Sequence, residues 1–201
     1  MQIIIQGQVQ GVGFRPCVYK IAQQLGLTGW VQNSAFGVLI EVQGILVYKF
    51  VSHLSANLPP LAKINSLQEQ TIPLKTNETL FEIIESKKGK VNTIIAPDAC
   101  ICAECLQELF EPQSRYFRYP FLNCTHCGPR FSITRMLPYD RCHTSMESFP
   151  FCPDCETDYL NPDNRRYHAQ PTACMNCGPQ LSLPVEEIAK SILQGLDFGL
   201  Q

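Results

Sequence analysis

Eight cysteines in four Cys-x-x-Cys pairs are the residues of this chain whose spacing most clearly indicates chemistry. Eighteen residues separate the first two pairs and eighteen the last two, and the second half repeats the first at an offset of 50 residues. A two-residue spacer lets both thiolates of a pair reach one metal ion, and two pairs supply the four thiolates of a closed structural zinc site. The spacing predicts two structural zinc ions bound by Cys102, Cys105, Cys124, Cys127, Cys152, Cys155, Cys174 and Cys177.

Residues outside the pairs support the repeat but leave some alternatives open. The two copies also share Pro112/Pro162, Arg115/Arg165, Gly128/Gly178, Pro129/Pro179 and Ser132/Ser182. Pairing of cysteines within each copy is favoured, although an interleaved arrangement and iron in place of zinc both fit the spacing. Disulfides would require an oxidising compartment. The remaining candidates are interpreted as having no ligand role: Cys17, Cys100, Cys142, His126, His143 and His168.

A glycine-rich turn near the N-terminus is the second feature that could carry chemistry. Gly11 and Gly13 follow a predicted strand, and Pro16 marks the first turn of a helix. Such a turn can direct several backbone N–H groups at one point, where the positive end of the helix dipole also favours an anion. Arg15 could bind that anion through its guanidinium. The plainer interpretation is a strand–helix connection beside a surface arginine.

Hydrophobic periodicity places these residues in an α+β domain. Apolar runs predict strands at 3–7, 28–33, 38–43, 62–70 and 81–85, with helices beginning at Pro16 and spanning 46–56. The order is βαββαβ with one additional short strand. This order predicts a ferredoxin-like fold, in which two helices cover one face of an antiparallel sheet.

Composition bounds the remaining possibilities. A formal net charge of −2 argues against a general affinity for nucleic acid or membranes. The N-terminus lacks the pattern of a secretory signal, and the many closely paired thiols fit a reducing cytoplasm. All lysines but one lie at or before Lys90, whereas the basic residues of 91–180 are all arginine. We therefore predict domains at 1–88 and 89–183, followed by a short helical segment at 184–201.

A single-strand nucleic-acid site is the alternative for the cysteine region. Residues 115–119 interleave arginines with aromatic rings, as such binders do. From 100 to 180, however, seven arginines face nine acidic residues and form no basic stripe. We expect these rings to pack around the metal sites, because a small finger has little other core.

The first domain resembles the acylphosphatases. The resemblance rests on GQVQGVGFR at 7–15 and LGLTGWVQN at 25–33. It implies that Arg15 binds the substrate phosphate, that Asn33 positions the attacking water, and that no metal takes part in the reaction. It also implies a phosphate cradle of backbone amides from Gln10, Gly11, Val12, Gly13, Phe14 and Arg15.

The whole chain resembles the N-terminal part of the HypF carbamoyltransferases of [NiFe]-hydrogenase maturation. The supporting motifs are RYPF at 118–121, CTHCGPRF at 124–131, YDR at 139–141 and HAQP at 168–171. The resemblance implies hydrolysis of carbamoyl phosphate, or another small acyl phosphate, to carbamate and phosphate. In that family, carbamate is then adenylated in a later domain and transferred to the partner protein HypE.

The later domains of that family are not in this sequence, which ends after a predicted amphipathic helix at 185–196. We therefore expect a truncated product that does not carry out ATP-dependent transfer by itself. Two hypotheses follow. The chain is either a phosphatase-type hydrolase with a zinc-stabilised appendage, or a catalytically idle docking module for the missing domains or HypE.

Overall fold

A computed structural model of the protein describes residues 1–34, 36–86 and 97–194. The predicted boundary between the two domains, at 88/89, lies outside the described residues, as does the end of the chain from 195 onward. Within the described residues, no helix is long and apolar enough to cross a membrane.

The first domain is a five-stranded sheet with two helices, in the predicted ferredoxin-like order. The strands follow the order β4-β1-β3-β2-β5, antiparallel except for the parallel pair β2–β5. The fold prediction is confirmed. The elements are β1 (Gln2–Gln8), α1 (Phe14–Gln24), β2 (Thr28–Ser34), β3 (Gly37–Gln43), α2 (Phe50–Ala56), β4 (Lys63–Gln70) and β5 (Phe81–Ile83).

The core of this domain lies between the sheet and the two helices. Alternate residues of β1, such as Ile3 and Ile5, are fully buried against the apolar stripe of α1, which includes Val18 and Ile21. This alternation is the period-two pattern of a strand with one buried face. The second helix differs from the prediction: a 3₁₀ turn at Val47–Lys49 precedes it, and regular α-helix begins at Phe50.

The cysteine-rich region consists of two fingers with the same local structure. Helices α3 (Ala103–Phe110) and α4 (Pro153–Leu160) each begin directly after the first cysteine of a copy. The chain then folds back through a left-handed residue, Arg118 or His168, with φ of 58° and 52°. Their backbone N–H groups donate to Leu109 O and Tyr159 O at 2.9 and 3.0 Å. All of these positions are related by the 50-residue offset.

The two fingers pack against each other through reciprocal ion pairs. Arg115 of the first finger pairs with Asp158 on α4, and Arg165 of the second pairs with Glu108 on α3. Arg115 corresponds to Arg165 in the repeat, and Glu108 corresponds to Asp158. The rings of the 115–119 segment are largely buried, with Tyr116 and Tyr119 at 3% and 2% exposure. The terminal helix, α5 (Val185–Leu193), ends before the predicted residue 196, and residues 195 and 196 lie outside the described part.

Candidate active site and metal centres

The glycine turn, residues 9–13, joins β1 to the N-terminus of α1. Gly11 and Gly13 have φ of 71° and 77°, in the left-handed region that favours glycine. Gly13 is the residue before the helix, and no side chain caps the first turn. The first N–H groups of a helix have no partner within it, so this end of α1 offers donors to an anion.

Arg15 and Asn33 lie side by side at this turn. Asn33, near the end of β2, is fully buried, and Arg15 is 8% exposed. With its carboxamide oxygen turned toward the guanidinium, Asn33 accepts hydrogen bonds from Nε and Nη2 of Arg15, each at 3.2 Å. The two residues to which the sequence assigned the chemistry are therefore in direct contact.

Gln10 holds the glycine turn in place. Its Nε2 donates to Ser34 O at 2.9 Å and to Gly37 O at 3.0 Å, which joins the turn to the β2–β3 hairpin. Its Oε1 accepts from the backbone N–H of Tyr139 at 3.1 Å, in the segment between the fingers. Gln10 is 1% exposed and Val12 is fully buried, so their side chains face the interior and only their main chain could contribute to a cradle.

Residues of the first finger cover the glycine turn. A Cβ on Gly11 would lie 2.6 Å from Pro129 Cβ, and one on Gly13 would lie 2.8 Å from Thr125 Cβ. These approaches leave a cavity of about 20 Å³ between the two domains. The turn side of the cavity is lined by Val9, Gly11, Gly13, Phe14, Arg15 and Pro16, and the finger side by Asn123, Cys124, Thr125, Gly128, His168, Ala169, Gln170 and Pro171.

Asp140 brings a carboxylate to Arg15 from the segment between the fingers. Arg15 Nη2 donates to Asp140 Oδ1 at 2.8 Å, and Nη1 lies 3.5 Å from Ser86 Oγ. Asp140 and Arg15 also line a second, larger cavity of about 370 Å³, together with His168 and Gln170. Arg15 therefore borders both cavities.

The neighbouring Arg141 anchors Asp140 to the second finger. Its Nη1 donates to the carbonyls of Gln170 and Thr172 at 2.7 and 2.8 Å, and its Nη2 donates to Phe149 O at 2.6 Å. Its backbone N–H donates to Gln170 Oε1 at 2.8 Å. Segment 139–141 is thus fixed to both domains. Tyr139 and Asp140 form hydrogen bonds with the first domain, and Arg141 forms hydrogen bonds with the second finger.

His168 contributes an imidazole to the same region. Its ring packs against Tyr159 and Tyr167, with centroids 5.0 and 4.7 Å away. Burial, together with the positive charge of Arg15, lowers the pKa of His168 to about 4, although Asp140 opposes this shift. The ring is therefore neutral at physiological pH. The sequence predicts no ligand role for His168, and the residue lies outside both cysteine clusters but at the candidate active site.

The eight paired cysteines form two clusters, one in each repeat. Within each cluster all four Sγ atoms lie within 4.8 Å of one another. Cys102 and Cys124 Sγ are 3.6 Å apart, and Cys152 and Cys174 Sγ are 3.7 Å apart. Four sulfurs at the Zn–S length of about 2.3 Å around a tetrahedral ion are roughly 3.8 Å from one another. The donor set and its size fit one four-coordinate metal ion in each finger.

Backbone N–H groups also point at the sulfurs, as expected for thiolate ligands. Cys105 N donates to Cys102 Sγ and Cys102 N donates to Cys127 Sγ, both at 3.4 Å. Burial raises the pKa of Cys177, but hydrogen bonds from backbone groups of Cys152 and Cys174, together with those from the Cys155 and Cys152 side chains, outweigh it and lower the pKa to about 7. These bonds favour the thiolate that a metal ion requires.

Two family models match the chain, one for each part. The model described as "Acylphosphatase" matches residues 1–83, and "HypF finger" matches residues 101–134 and 151–183. The acylphosphatase of Ligilactobacillus salivarius is 42% identical over 78 residues, which is 37% of this chain and 87% of that protein. The chain belongs to the acylphosphatase family.

The acylphosphatase domain and its HypF fingers together match the N-terminal part of HypF proteins. Carbamoyltransferase HypF of Rhizobium leguminosarum bv. viciae is 50% identical over 146 residues, covering 73% of this chain and 19% of the relative. A crystal structure of full-length HypF in a phosphate- and nucleotide-bound form is 41% identical and superposes with a TM-score of 0.88, over 96% of this chain and 27% of that one. The chain thus spans about a fifth to a quarter of the length of such relatives.

The structure brings together most of the residues that the sequence assigned to the site, and adds others. Gly11, Gly13, Phe14 and Arg15 border one cavity, and Asn33, which does not line that cavity, contacts Arg15. The residues that sequence reasoning missed all come from the HypF fingers and the segment between them. They are Asn123, Asp140, His168 and Gln170.

Proposed function

We propose that the acylphosphatase domain hydrolyses small acyl phosphates, and carbamoyl phosphate in particular, to a carboxylate (carbamate) and inorganic phosphate. One observation carries the proposal. Arg15 contacts Asn33 and, together with the glycine turn, borders the interdomain cavity. A phosphoryl group beside Arg15 would meet both the guanidinium and the free N–H groups at the start of α1.

The chemistry asked of these residues is positioning and charge stabilisation. An acyl phosphate is already activated, so holding the phosphoryl group and directing a water molecule at phosphorus supply most of the catalysis. Arg15 and the amides of the turn stabilise negative charge on the phosphoryl oxygens. The Asn33 carboxamide orients the water by hydrogen bonding, since an amide is too weak a base to remove its proton.

The ion pair between Asp140 and Arg15 must break before a phosphoryl group binds to Arg15. Its carboxylate occupies the guanidinium edge of Arg15, and two anions cannot share that edge without repulsion. Release of Asp140 would free part of the 370 Å³ cavity that it lines with Arg15, whereas the interdomain cavity, at about 20 Å³, is too small for a whole acyl phosphate.

The two cysteine clusters are proposed to hold structural zinc, one ion in each finger. All four thiols of each cluster are used and no ligand position is left open, which is the pattern of a structural site. The ions would hold the fingers folded against the glycine turn. Zinc would supply no chemistry to the hydrolysis, because the cysteine ligands lie in the fingers and the reaction is assigned to Arg15 and Asn33.

In a longer HypF protein, carbamate would pass to later domains for adenylation and transfer to a HypE-like partner. The alternative is that this part is a catalytically idle docking module for those domains or for HypE. The contacts of Pro129 and Thr125 with Gly11 and Gly13, and the Arg15–Asp140 pair, favour that alternative, because they close the site.

Measurement of phosphate release from carbamoyl phosphate and from acetyl phosphate distinguishes the hydrolase from the docking module. Spontaneous breakdown is subtracted with enzyme-free samples. Hydrolysis by the wild-type chain that is lost in Arg15→Ala but kept in Arg135→Ala, an exposed arginine between the fingers, supports the hydrolase. No release above the blank by the wild-type chain would support the docking module.

A further inference from the structure

Asn123 is a buried carboxamide with no hydrogen-bond partner. It precedes the ligand Cys124 in the first finger and is 2% exposed. Neither its Nδ2 nor its Oδ1 has a partner among residues 1–34, 36–86 and 97–194. Burying an amide without hydrogen bonds is costly, so an arrangement of this kind calls for a group that binds to it.

The place of Asn123 indicates what that group is. Asn123 lines the interdomain cavity together with Gly11, Gly13 and Arg15, the residues proposed to bind the phosphoryl group. A substrate whose phosphoryl group lies beside Arg15 would carry its acyl group only one or two bonds away. Asn123 is thus the finger residue with a free carboxamide within reach of the acyl group.

The repeat shows that the finger itself does not need this amide. Position 123 in the first finger corresponds to 173 in the second, where the residue is Ala173, 1% exposed beside the ligand Cys174. The two fingers otherwise share helices, left-handed turns and metal clusters. A carboxamide is therefore found at this position only in the first finger, whose Thr125 and Pro129 lie against the glycine turn.

We propose that Asn123 recognises the carbamoyl group of the substrate, so that the first finger selects carbamoyl phosphate over other small acyl phosphates. This inference rests on the proposed function of the same site. A carbamoyl group presents an N–H donor and a carbonyl acceptor, and a carboxamide can pair with both edges. A phosphoryl group satisfies only Nδ2, because its oxygens accept and do not donate. An acetyl group has nearly the same shape but leaves Oδ1 unpaired.

Hydrolysis of carbamoyl phosphate and acetyl phosphate by the wild-type chain and Asn123→Ala tests this assignment. A site that pairs with a substrate N–H discriminates strongly against an analogue without it. We expect wild type to favour carbamoyl phosphate in kcat/KM by at least about tenfold, and Asn123→Ala to reduce that ratio to near one. Asn176→Ala, an exposed position of the second finger, is the matched control. A ratio that is equal in wild type and Asn123→Ala overturns the proposal.

Binding of inert analogues separates this inference from the hydrolase proposal. Calorimetry compares phosphonoacetamide, which keeps the carboxamide, with 2-oxopropylphosphonate, which replaces its NH₂ by a methyl group. Wild type is expected to bind the first at least about tenfold more tightly, and Asn123→Ala to bind both alike. If wild type hydrolyses neither phosphate, the hydrolase proposal fails while this comparison still decides the role of Asn123. Equal affinity of wild type for the two analogues overturns that role.

Discussion

Arg15 Nη2 donates to Asp140 Oδ1 at 2.8 Å, across the junction between the acylphosphatase domain and the HypF fingers. The residue proposed to bind phosphate is thus paired with a carboxylate 125 positions away in the chain. Its side chain is 9% exposed and that of Asp140 is 18% exposed, so the pair is largely shielded from water. The fingers therefore reach the site directly and do not merely follow it in sequence.

Removal of the Asp140 charge should strengthen phosphate binding. In Asp140→Asn the guanidinium no longer has an anionic partner, and a bound phosphate no longer has to displace or repel one. We expect the dissociation constant of inorganic phosphate, measured by calorimetry, to fall by roughly tenfold. Asp154→Asn, at an exposed position of α4, should leave it unchanged. Weaker binding by Asp140→Asn would mean that Asp140 orients Arg15 for phosphate instead of competing with it.

A side chain on Gly13 should separate the two domains. Ala at this position combines a strained φ of 77° with a Cβ 2.8 Å from Thr125. Gly26→Ala is the matched control, because φ is 60° there and nothing lies within 4 Å of the added Cβ. The left-handed conformation alone costs about 1–2 kcal/mol. We expect Gly13→Ala to lower the free energy of unfolding by a further 1–3 kcal/mol or so, which denaturant titration measures. Equal losses in the two variants would contradict the tight contact with the finger.

Each cysteine cluster should hold one zinc ion independently. Cys105→Ser and Cys155→Ser remove one buried thiol from the first and second cluster respectively. We expect about two zinc ions in the wild-type chain and about one in each variant by elemental analysis, with a lower melting temperature in both, because metal binding contributes to folding. Cys100→Ser, an exposed cysteine outside the clusters, should keep both ions. Iron in the purified protein, or loss of both ions from a single substitution, would contradict two separate zinc sites.

Acidification should destabilise the junction through His168. Its pKa in the folded chain is about 4, against about 6.5 for an unperturbed histidine. Between these two pH values the unfolded chain binds a proton that the folded chain does not. The contribution of the neutral ring to the free energy of unfolding, at most about 3 kcal/mol, is therefore fully present above pH 6.5 and is lost as the pH falls toward 4.

The variant His168→Gln isolates this contribution. The difference in unfolding free energy between wild type and His168→Gln should shrink from pH 7 to pH 4.5. Comparison with wild type at each pH removes the common effect of metal loss in acid. A difference that stays constant for His168→Gln would contradict a buried neutral imidazole.

The sequence was sufficient for the parts of the site whose partners are local. A Cys-x-x-Cys pair carries its own geometry, so spacing alone predicted the two clusters. Gly11, Gly13 and Arg15 belong to one strand–turn–helix, and their interpretation as a phosphate site came from the resemblance to the acylphosphatases. The strands β1 to β3 followed from the apolar runs and the turn residues between them. The second helix was predicted four residues too early, because Leu46 and Val47 continue its apolar pattern although the chain enters through a 3₁₀ turn.

The finger side of the site could not be predicted in this way. Asp140 contacts Arg15, and Tyr139 bonds Gln10, across 125 and 129 positions, and no local pattern shows which segment will cover the turn. A usable signal lay in the differences between the repeats. In the aligned repeats, Asn123 corresponds to Ala173 and Arg118 corresponds to His168. Only one member of each pair, Asn123 and His168, lines the interdomain cavity.

Hydrolysis in ¹⁸O-labelled water tests most directly whether Arg15, Asn33 and the glycine turn act together on a phosphoryl group. The label is read in the phosphate released from acetyl phosphate or carbamoyl phosphate, after subtraction of the signal obtained with Arg15→Ala. Water directed at phosphorus predicts one ¹⁸O atom in each phosphate that the enzyme releases. Unlabelled phosphate, with the label in the acetate, would place the attack at the acyl carbon and contradict the account.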